Sequence, residues 1–128
     1  MKLKPVNKQA AKVLEAVTQG LEYAQGRKID NSEGVYMPVH VERVGSDLFS
    51  VAHYGEQNGD LMADPDVVFW KRPDGWFPVE ITQHYLGRYQ RLLWVEKGEV
   101  VKWNPRGYRD VKIFCGTWMQ NVKQQQGL

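Results

Sequence analysis

The sequence predicts an α+β fold in which an antiparallel β-sheet meander is flanked by an N-terminal and a C-terminal helix. Three observations support this fold class: helical periodicity at both ends of the chain, alternation of apolar and polar residues between them, and turn motifs that separate the alternating segments. The chain has 128 residues, so we expect residues 1–128 to form a single domain. Two amphipathic helices can cover one face of such a sheet.

Helical periodicity defines the two ends of the chain. From about Pro5 to Ala24, apolar residues recur at spacings of three and four, and Pro5 suits the first turn of a helix. From about Gly107 to Lys123, a second apolar stripe with the same spacing predicts the closing helix. The polar segment GRKIDNSEG, residues 26–34, contains residues that break regular structure, so we expect a loop there.

Period-two alternation and turn residues define the strands between the helices. In the first strand segment Pro38 cannot donate a ladder hydrogen bond, which favours an edge strand. Asn58-Gly59 tolerates the positive φ angles of a type I′ turn and predicts a two-residue hairpin. The predicted strands are 35–42, 48–57, 60–63, 67–70, 77–81, 88–95 and 99–103.

Composition limits the classes of function. The net charge of +2 is too small to require an anionic partner, and the single cysteine, Cys115, cannot form an internal disulfide. The N-terminal residues lack the apolar core of a signal peptide, and no segment is long and apolar enough to span a bilayer. We therefore expect a small soluble cytoplasmic protein without a membrane partner.

The hairpin around Asn58-Gly59 carries the first candidate site. A two-residue turn pairs Gln57 with Asp60. It also pairs His53 with Asp64, and residue parity places all four side chains on one side of the ribbon. A histidine opposite a carboxylate can act as an acid–base pair or bind a hard metal ion, whereas the alternative is a solvated cross-strand pair. His53 and Asp64 are candidate catalytic residues. Asp60 and Asp64 are candidate metal ligands, and Gln57 and Asp60 are candidate binding residues.

A second candidate site lies on the next two strands. Residues 64–66, Asp-Pro-Asp, and residues 80–82, Glu-Ile-Thr, resemble the PD…(D/E)xK signature of metal-dependent nucleases. The resemblance implies that Asp66 and Glu80 are catalytic residues that bind a divalent metal ion. Thr82 stands where the family has the lysine that helps to activate water, so the charge that would stabilise an attacking hydroxide is missing. Two acids on the first helix could supply a further ligand: Glu15 and Glu22.

Strand register decides whether these two acids can share a metal ion. With a four-residue loop at 72–75, Asp66 faces Ile81, so Asp66 and Glu80 point to opposite faces of the sheet. A change of register by one residue would instead pair Asp66 with Glu80. The apolar pattern favours the first register, because it forms one continuous buried face from Val68, Trp70, Phe77 and Val79.

The later half of the chain interleaves basic and aromatic residues. Aromatic platforms beside cations suit single-stranded nucleic acid, because bases stack on the rings and phosphates bind the cations. Arg88 and Arg91 are the candidate binding residues of this region, and the alternative is that its aromatic rings pack in the core. The aromatic residues concerned are Tyr85, Tyr89, Trp94, Trp103 and Tyr108.

The segment HYGEQNGDLMADPDVVF, residues 53–69, is similar to a signature of small uncharacterised proteins carried by bacterial plasmids, phages and conjugative transposons. The matching residues are His53, Tyr54, Glu56, Gln57, Asn58, Gly59, Asp60, Leu61, Asp64, Pro65 and Phe69. The resemblance implies a bacterial mobile-element setting. That family has no assigned activity, so the resemblance carries over no functional residues.

Together these observations predict a non-enzymatic protein of mobile-element type that binds a macromolecule through its acidic hairpin or its basic aromatic region. The expected partner is a protein, and nucleic acid is the alternative. Two other functions stay open: a degenerate PD-(D/E)xK-like metal-dependent nuclease and a single-stranded nucleic-acid-binding protein. No cofactor is predicted apart from the divalent metal ion that the nuclease alternative would need.

Overall fold

The computed structural model describes residues 3–128, and within them a six-stranded antiparallel sheet and a separate two-stranded hairpin lie between two helices. The predicted α+β fold class is therefore confirmed. The helices are α1 (Lys8–Thr18) and α2 (Pro105–Gln126), and a short 3₁₀ helix spans His84–Leu86. The strands are β1 (Gly26–Ile29), β2 (Val39–Arg43), β3 (Leu48–Gln57), β4 (Asp60–Arg72), β5 (Gly75–Gln83), β6 (Arg88–Arg91), β7 (Leu93–Glu96) and β8 (Glu99–Trp103).

Both helices begin at an asparagine cap. The side chain of Asn7 accepts a hydrogen bond from the Ala10 amide at 2.8 Å, and that of Asn104 accepts one from the Gly107 amide at 3.1 Å. Helix α1 is shorter than predicted because the chain turns at Gly20, whose φ of +78° is incompatible with a right-handed helix. Helix α2 is longer than predicted at both ends.

Strands β1 to β6 follow one another in space in the order of the sequence. Two predictions about the first two strands of the sheet are wrong. Strand β2 lies between β1 and β3 rather than at an edge, and it begins only after Pro38, whose missing N–H would interrupt the ladder. The edge strand on this side of the sheet is β1, from the segment predicted as a loop, and β6 is the other edge strand. An edge strand needs few apolar residues, which explains why its polar sequence resembles a loop.

The predicted strand 88–95 is divided in two. The backbone N–H of Leu92 donates to the Val79 carbonyl at 2.8 Å, and the Leu92 carbonyl accepts a hydrogen bond from the backbone N–H of Asn104 at 2.9 Å. Leu92 is fully buried between these neighbours. The chain therefore leaves the large sheet after β6, and β7 and β8 form their own hairpin.

The large sheet has an apolar face and a polar face. Valines and aromatic residues of the apolar face form one core with the buried stripes of both helices. In β4 the fully buried residues are Val67 and Phe69, whereas Val68 and Trp70, predicted to be buried, are only partly buried on the other face, where the Trp70 ring packs against Phe77. Helices α1 and α2 both pack on the apolar face, so neither of them covers the polar face. Its central residues are Glu42, Ser50, Tyr54, Asp66, Glu80 and Tyr89.

In the described part of the chain, neither helix is long and apolar enough to cross a membrane.

Candidate functional site

A β-bulge in β5 sets the geometry of the polar face. Phe69 pairs with Pro78, but the preceding residue of β4, Val68, pairs with Glu80. Val79 is therefore an extra residue without a partner of its own in β4. Pro78 cannot donate a ladder hydrogen bond, so a bulge at this point disrupts the ladder little.

The bulge brings Asp66 and Glu80 onto the same face of the sheet. Asp66 pairs with Thr82 rather than with Ile81, and Glu80 is its diagonal neighbour on the adjacent strand. The prediction that these two acids point to opposite faces is wrong. It assumed regular pairing from the turn onward, whereas the extra Val79 shifts the register of β5 by one residue. The two side chains are close enough for the charge of Glu80 to raise the pKa of Asp66.

Asp66 is half-buried at the centre of the polar face. Burial raises the pKa of its carboxyl group, and a hydrogen bond from Ser50 Oγ to Oδ1, 2.7 Å long, lowers it in part. The negative charges of Glu80 and Glu42 raise it further, whereas His84 lowers it. His84 is held in place because its Nδ1 accepts a hydrogen bond from the Ala63 amide at 2.8 Å.

Three further side chains with perturbed pKa values surround Asp66 on the polar face. Burial raises the pKa of Tyr54, which packs edge-on against His40 with ring centroids 5.1 Å apart, and burial lowers the pKa of His40. The hydroxyl of Tyr89 donates to Glu80 Oε2 at 2.5 Å, and this hydrogen bond raises the pKa of Tyr89. Perturbed pKa values concentrate at functional sites, although ion-pair networks that only stabilise a fold perturb them too.

Two neighbouring carboxylates can bind a divalent cation through oxygen ligands. Thr82 occupies the position of the lysine of the nuclease signature, but a cation is available nearby because Arg91 pairs with Glu80 across the strands. Glu15 cannot join this site, since its carboxylate accepts a hydrogen bond from Trp76 beneath α1 on the apolar side. Among residues 3–128, no group of three His, Cys, Asp or Glu side chains is arranged to hold a metal ion.

The hairpin between β3 and β4 has the predicted turn. Asn58 and Gly59 have φ angles of +54° and +84°, and Gln57 pairs with Asp60 as the two-residue turn requires. Asp60 is exposed at the tip of the hairpin. It precedes Asp64 by four residues, about 13 Å along a strand, so these two candidate metal ligands cannot share an ion.

His53 does not form the predicted acid–base pair. A second bulge places Asp64 and Pro65 together opposite His53, because Ala52 and Tyr54 on either side of it pair with Asp66 and Ala63. His53 is only 8% exposed, and its Nδ1–H donates to the Pro38 carbonyl at 3.0 Å. Between residues 3 and 128, no hydrogen bond or ion pair joins His53 to Asp64.

His53 and Asp64 instead line a groove along α2, formed by two cavities of about 480 and 530 Å³ that share Gln83 and Phe114. We call it the α2 groove. One wall is a stripe of α2: Arg106, Asp110, Phe114, Trp118, Asn121 and Gln125. The other wall is formed by residues 35–37, His53, Asp64, Gln83, Arg88 and Gln90. At 1.5 Å per helical residue, the stripe is about 28 Å long.

The groove changes character along its length. At one end, two arginines, Arg88 and Arg106, lie among carboxamides. At the other end, residues 35–37, Val-Tyr-Met, are exposed beside the buried ring of Trp118, and Phe114 stacks on that ring with centroids 5.8 Å apart. The indole N–H of Trp118 is buried, and no hydrogen-bond partner for it lies within the described residues.

The two predicted binding residues of the basic region lie on opposite faces of the sheet. Arg88 lies on the helix side of the sheet and lines the α2 groove, whereas Arg91 lies on the polar face.

Sequence reasoning missed Phe114, Trp118 and Gln83. A stripe of aromatic and carboxamide residues at helical spacing on α2 was the available signal. Cys115 faces the core, where burial raises the pKa of its thiol, so it is not an activated nucleophile.

Comparison with known proteins defines the family. The chain belongs to the family described as a domain of unknown function, DUF6908, whose model matches residues 6–128. No curated protein and no solved structure matches it.

Proposed function

We propose that this protein is a non-enzymatic binding protein that takes an extended segment of a partner protein into the α2 groove. The groove's length of about 28 Å corresponds to about eight residues of extended chain. Exposed apolar side chains beside a concave surface favour this use: Val35 is 74% exposed next to the aromatic end of the groove. The proposal keeps the predicted bacterial mobile-element setting, in which the partner is a protein of the same element or its host.

The carboxamides of the groove support a peptide as the occupant. A carboxamide carries both donors and an acceptor, as does a peptide unit, so it can pair with the backbone of an extended segment. Such pairing holds the backbone of the segment and leaves the selection of its side chains to the other residues of the groove. The carboxamides are spaced along the whole groove: Gln83, Gln90, Asn104, Asn121 and Gln125.

The charge of the groove favours peptide over nucleic acid. Its two arginines are accompanied by two aspartates, Asp64 and Asp110, so the lining has little net charge. A single-stranded nucleic-acid site needs an excess of cations along the backbone path. Arg91, the second basic candidate, lies on the opposite face of the sheet and cannot add to it.

The proposal is tested by selecting peptides from a random display library and measuring their affinity by fluorescence anisotropy. The groove variant is Phe114→Ser, and the matched control is Ile113→Ser, an exposed neighbour on α2 that does not line the groove. We expect about tenfold weaker binding for Phe114→Ser, because Phe114 lies where the two cavities meet, and little change for Ile113→Ser.

Two results would overturn this function. One is a library from which no peptide is enriched, and the other is equal affinity of the two variants for every selected peptide. Single-stranded oligonucleotides are measured in parallel. If they bind more tightly than the peptides and lose affinity in Phe114→Ser and with added salt, the groove is a nucleic-acid site instead.

A second candidate function is metal-dependent hydrolysis of nucleic acid at the polar face. The observation that favours it is the common face of Asp66 and Glu80, which the register predicted from sequence would have excluded. The test is a thermal shift with Mg²⁺ or Mn²⁺ that disappears in the double variant Asp66→Ala, Glu80→Ala. The control double variant, Glu96→Ala with Glu99→Ala, removes two acids from the separate hairpin. If the wild-type protein shows neither a shift nor cleavage, this candidate is excluded.

A further inference from the structure

We infer that the Arg88–Arg106 end of the α2 groove is a carboxylate subsite that sets the direction in which the partner's segment lies. This inference deepens the proposed function and rests on it. The carboxylate is an Asp or Glu side chain of the segment or its C-terminal group, and the same donors would hold either.

The two guanidinium groups bring unmatched positive charge to this cavity. In the described part of the chain, neither Arg88 nor Arg106 takes part in an ion pair or donates a side-chain hydrogen bond. Among the described residues, one acid lines this cavity, Asp110, which lies 3.9 Å from Arg109 in an exposed pair, so the two arginines of the lining exceed its acids by one charge. Arginine is a pure donor whose planar fork matches a carboxylate in two parallel hydrogen bonds.

The carboxamides around the arginines add further donors. The side-chain oxygen of Asn104 already accepts the Gly107 amide, so its NH₂ group is the part left for a ligand. A Cβ at Gly107 would lie only 2.7 Å from Asn104 Nδ2 and 2.4 Å from Gln90 Nε2. The absence of a side chain at position 107 therefore leaves room for both NH₂ groups beside the start of α2.

The lining below these donors is apolar. Ile81 and Val111 are buried, and Phe114 lies where this cavity meets the second one. A ligand group at this end therefore needs several acceptor oxygens on a small body and an attached chain that continues along the groove. A carboxylate on a peptide meets both conditions.

The subsite is tested first without any peptide. The side-chain Nε–Hε resonances of Arg88 and Arg106 are followed by NMR during titration with N-acetylglycinate, and N-acetylglycinamide is the matched neutral probe. We expect saturable shifts with the carboxylate alone. They should be lost in the double variant Arg88→Gln, Arg106→Gln and kept in Lys123→Gln, which removes a cation outside the groove. Equal shifts with the neutral probe, or tighter binding of inorganic phosphate, would overturn the inference.

Peptides selected for the groove then identify the source of the carboxylate. Two changes to the peptides are compared: amidation of the C-terminus, and replacement of each Asp and Glu by its amide. One of the two should weaken binding about tenfold. The same change should have no effect on the double arginine variant. If peptides bind but neither change matters, the subsite is wrong and the groove function stands. If N-acetylglycinate binds at the arginines but no peptide is enriched, the groove function and the orienting role both fail, and only carboxylate binding at the arginines stands.

Discussion

Asp66 and Glu80 lie on the same face of the sheet because Val79 is an extra residue in β5. The bulge also accounts for the consecutive burial of Pro78 and Val79 in β5. Regular alternation would turn one of these two residues away from the core. An uninterrupted apolar run in a strand that carries an acid on its polar face therefore favours a bulge. Here the bulge places two carboxylates on the same face of the sheet.

Replacing Asp66 by asparagine should stabilise the protein at neutral pH. Burial raises the pKa of Asp66 in the folded state, so its contribution to stability is present at low pH and is lost as pH rises through that pKa. Asparagine keeps an acceptor for Ser50 and removes the repulsion from Glu80. We expect a gain of about 0.5–1 kcal/mol at pH 7 that shrinks toward pH 4, measured by urea unfolding. Asp60→Asn, at the exposed hairpin tip, is the control.

The opposite pH trend for Asp66→Asn would contradict this account of the polar face. A loss of stability at pH 7 would mean that ionised Asp66 is held by interactions stronger than its hydrogen bond from Ser50. A gain of equal size at both pH values would mean that Asp66 has the same pKa in the folded and unfolded chain.

The β3–β4 turn could be predicted from sequence because its determinants are local. Asn58-Gly59 specifies the turn type within two residues, and the pairing of Gln57 with Asp60 follows directly. The prediction fails beyond the bulge at His53. Extrapolation of register assumes one residue opposite one residue, and whether a strand inserts an extra residue depends on packing against distant elements.

The α2 groove could not be predicted because its walls are distant in sequence. Residues 35–37, the end of β5 and α2 meet only in the folded chain. Helical spacing identifies Phe114 and Trp118 as one stripe, but it assigns that stripe to the core. Part of the stripe lines a groove instead, because the sheet ends near Gln83 and does not cover it. Where the sheet ends is set by the folded chain and not by the helical spacing.

Removing the turn asparagine should destabilise the protein. Asn58 has a φ of +54°, a conformation that alanine adopts at a cost of about 1 kcal/mol or more. We expect Asn58→Ala to lower the free energy of unfolding by this amount in urea, and Asn58→Gly to be neutral or slightly stabilising. Asp60→Ala tests the exposed neighbour without changing the turn conformation. If Asn58→Ala were neutral, the turn would not have the left-handed residue that fixes its register.

Glu15 should matter more for stability than its exposed ion pair suggests. Its carboxylate accepts a hydrogen bond from the buried Trp76 Nε1 at 3.0 Å and lies 3.2 Å from Lys71 Nζ. Glu15→Ala leaves a buried donor without a partner and should cost about 1–3 kcal/mol. Lys71→Ala removes mainly an exposed contact and should cost less than about 1 kcal/mol. Equal losses in urea unfolding would mean that the ion pair, rather than the indole hydrogen bond, is the stabilising contact.

The Cys115 thiol should react only when the protein opens. It is fully buried on the core side of α2, and burial raises the pKa of the thiol, so almost no thiolate is present at neutral pH. We expect slow modification by a disulfide reagent in the native protein and complete modification in concentrated guanidinium chloride. Thr117→Cys supplies an exposed thiol on the same helix, which should react at the rate of a free cysteine while Cys115 stays protected. Rapid native modification of Cys115 would mean that α2 separates from the sheet far more often than its buried stripe allows, and the wall of the α2 groove would then be mobile rather than preformed.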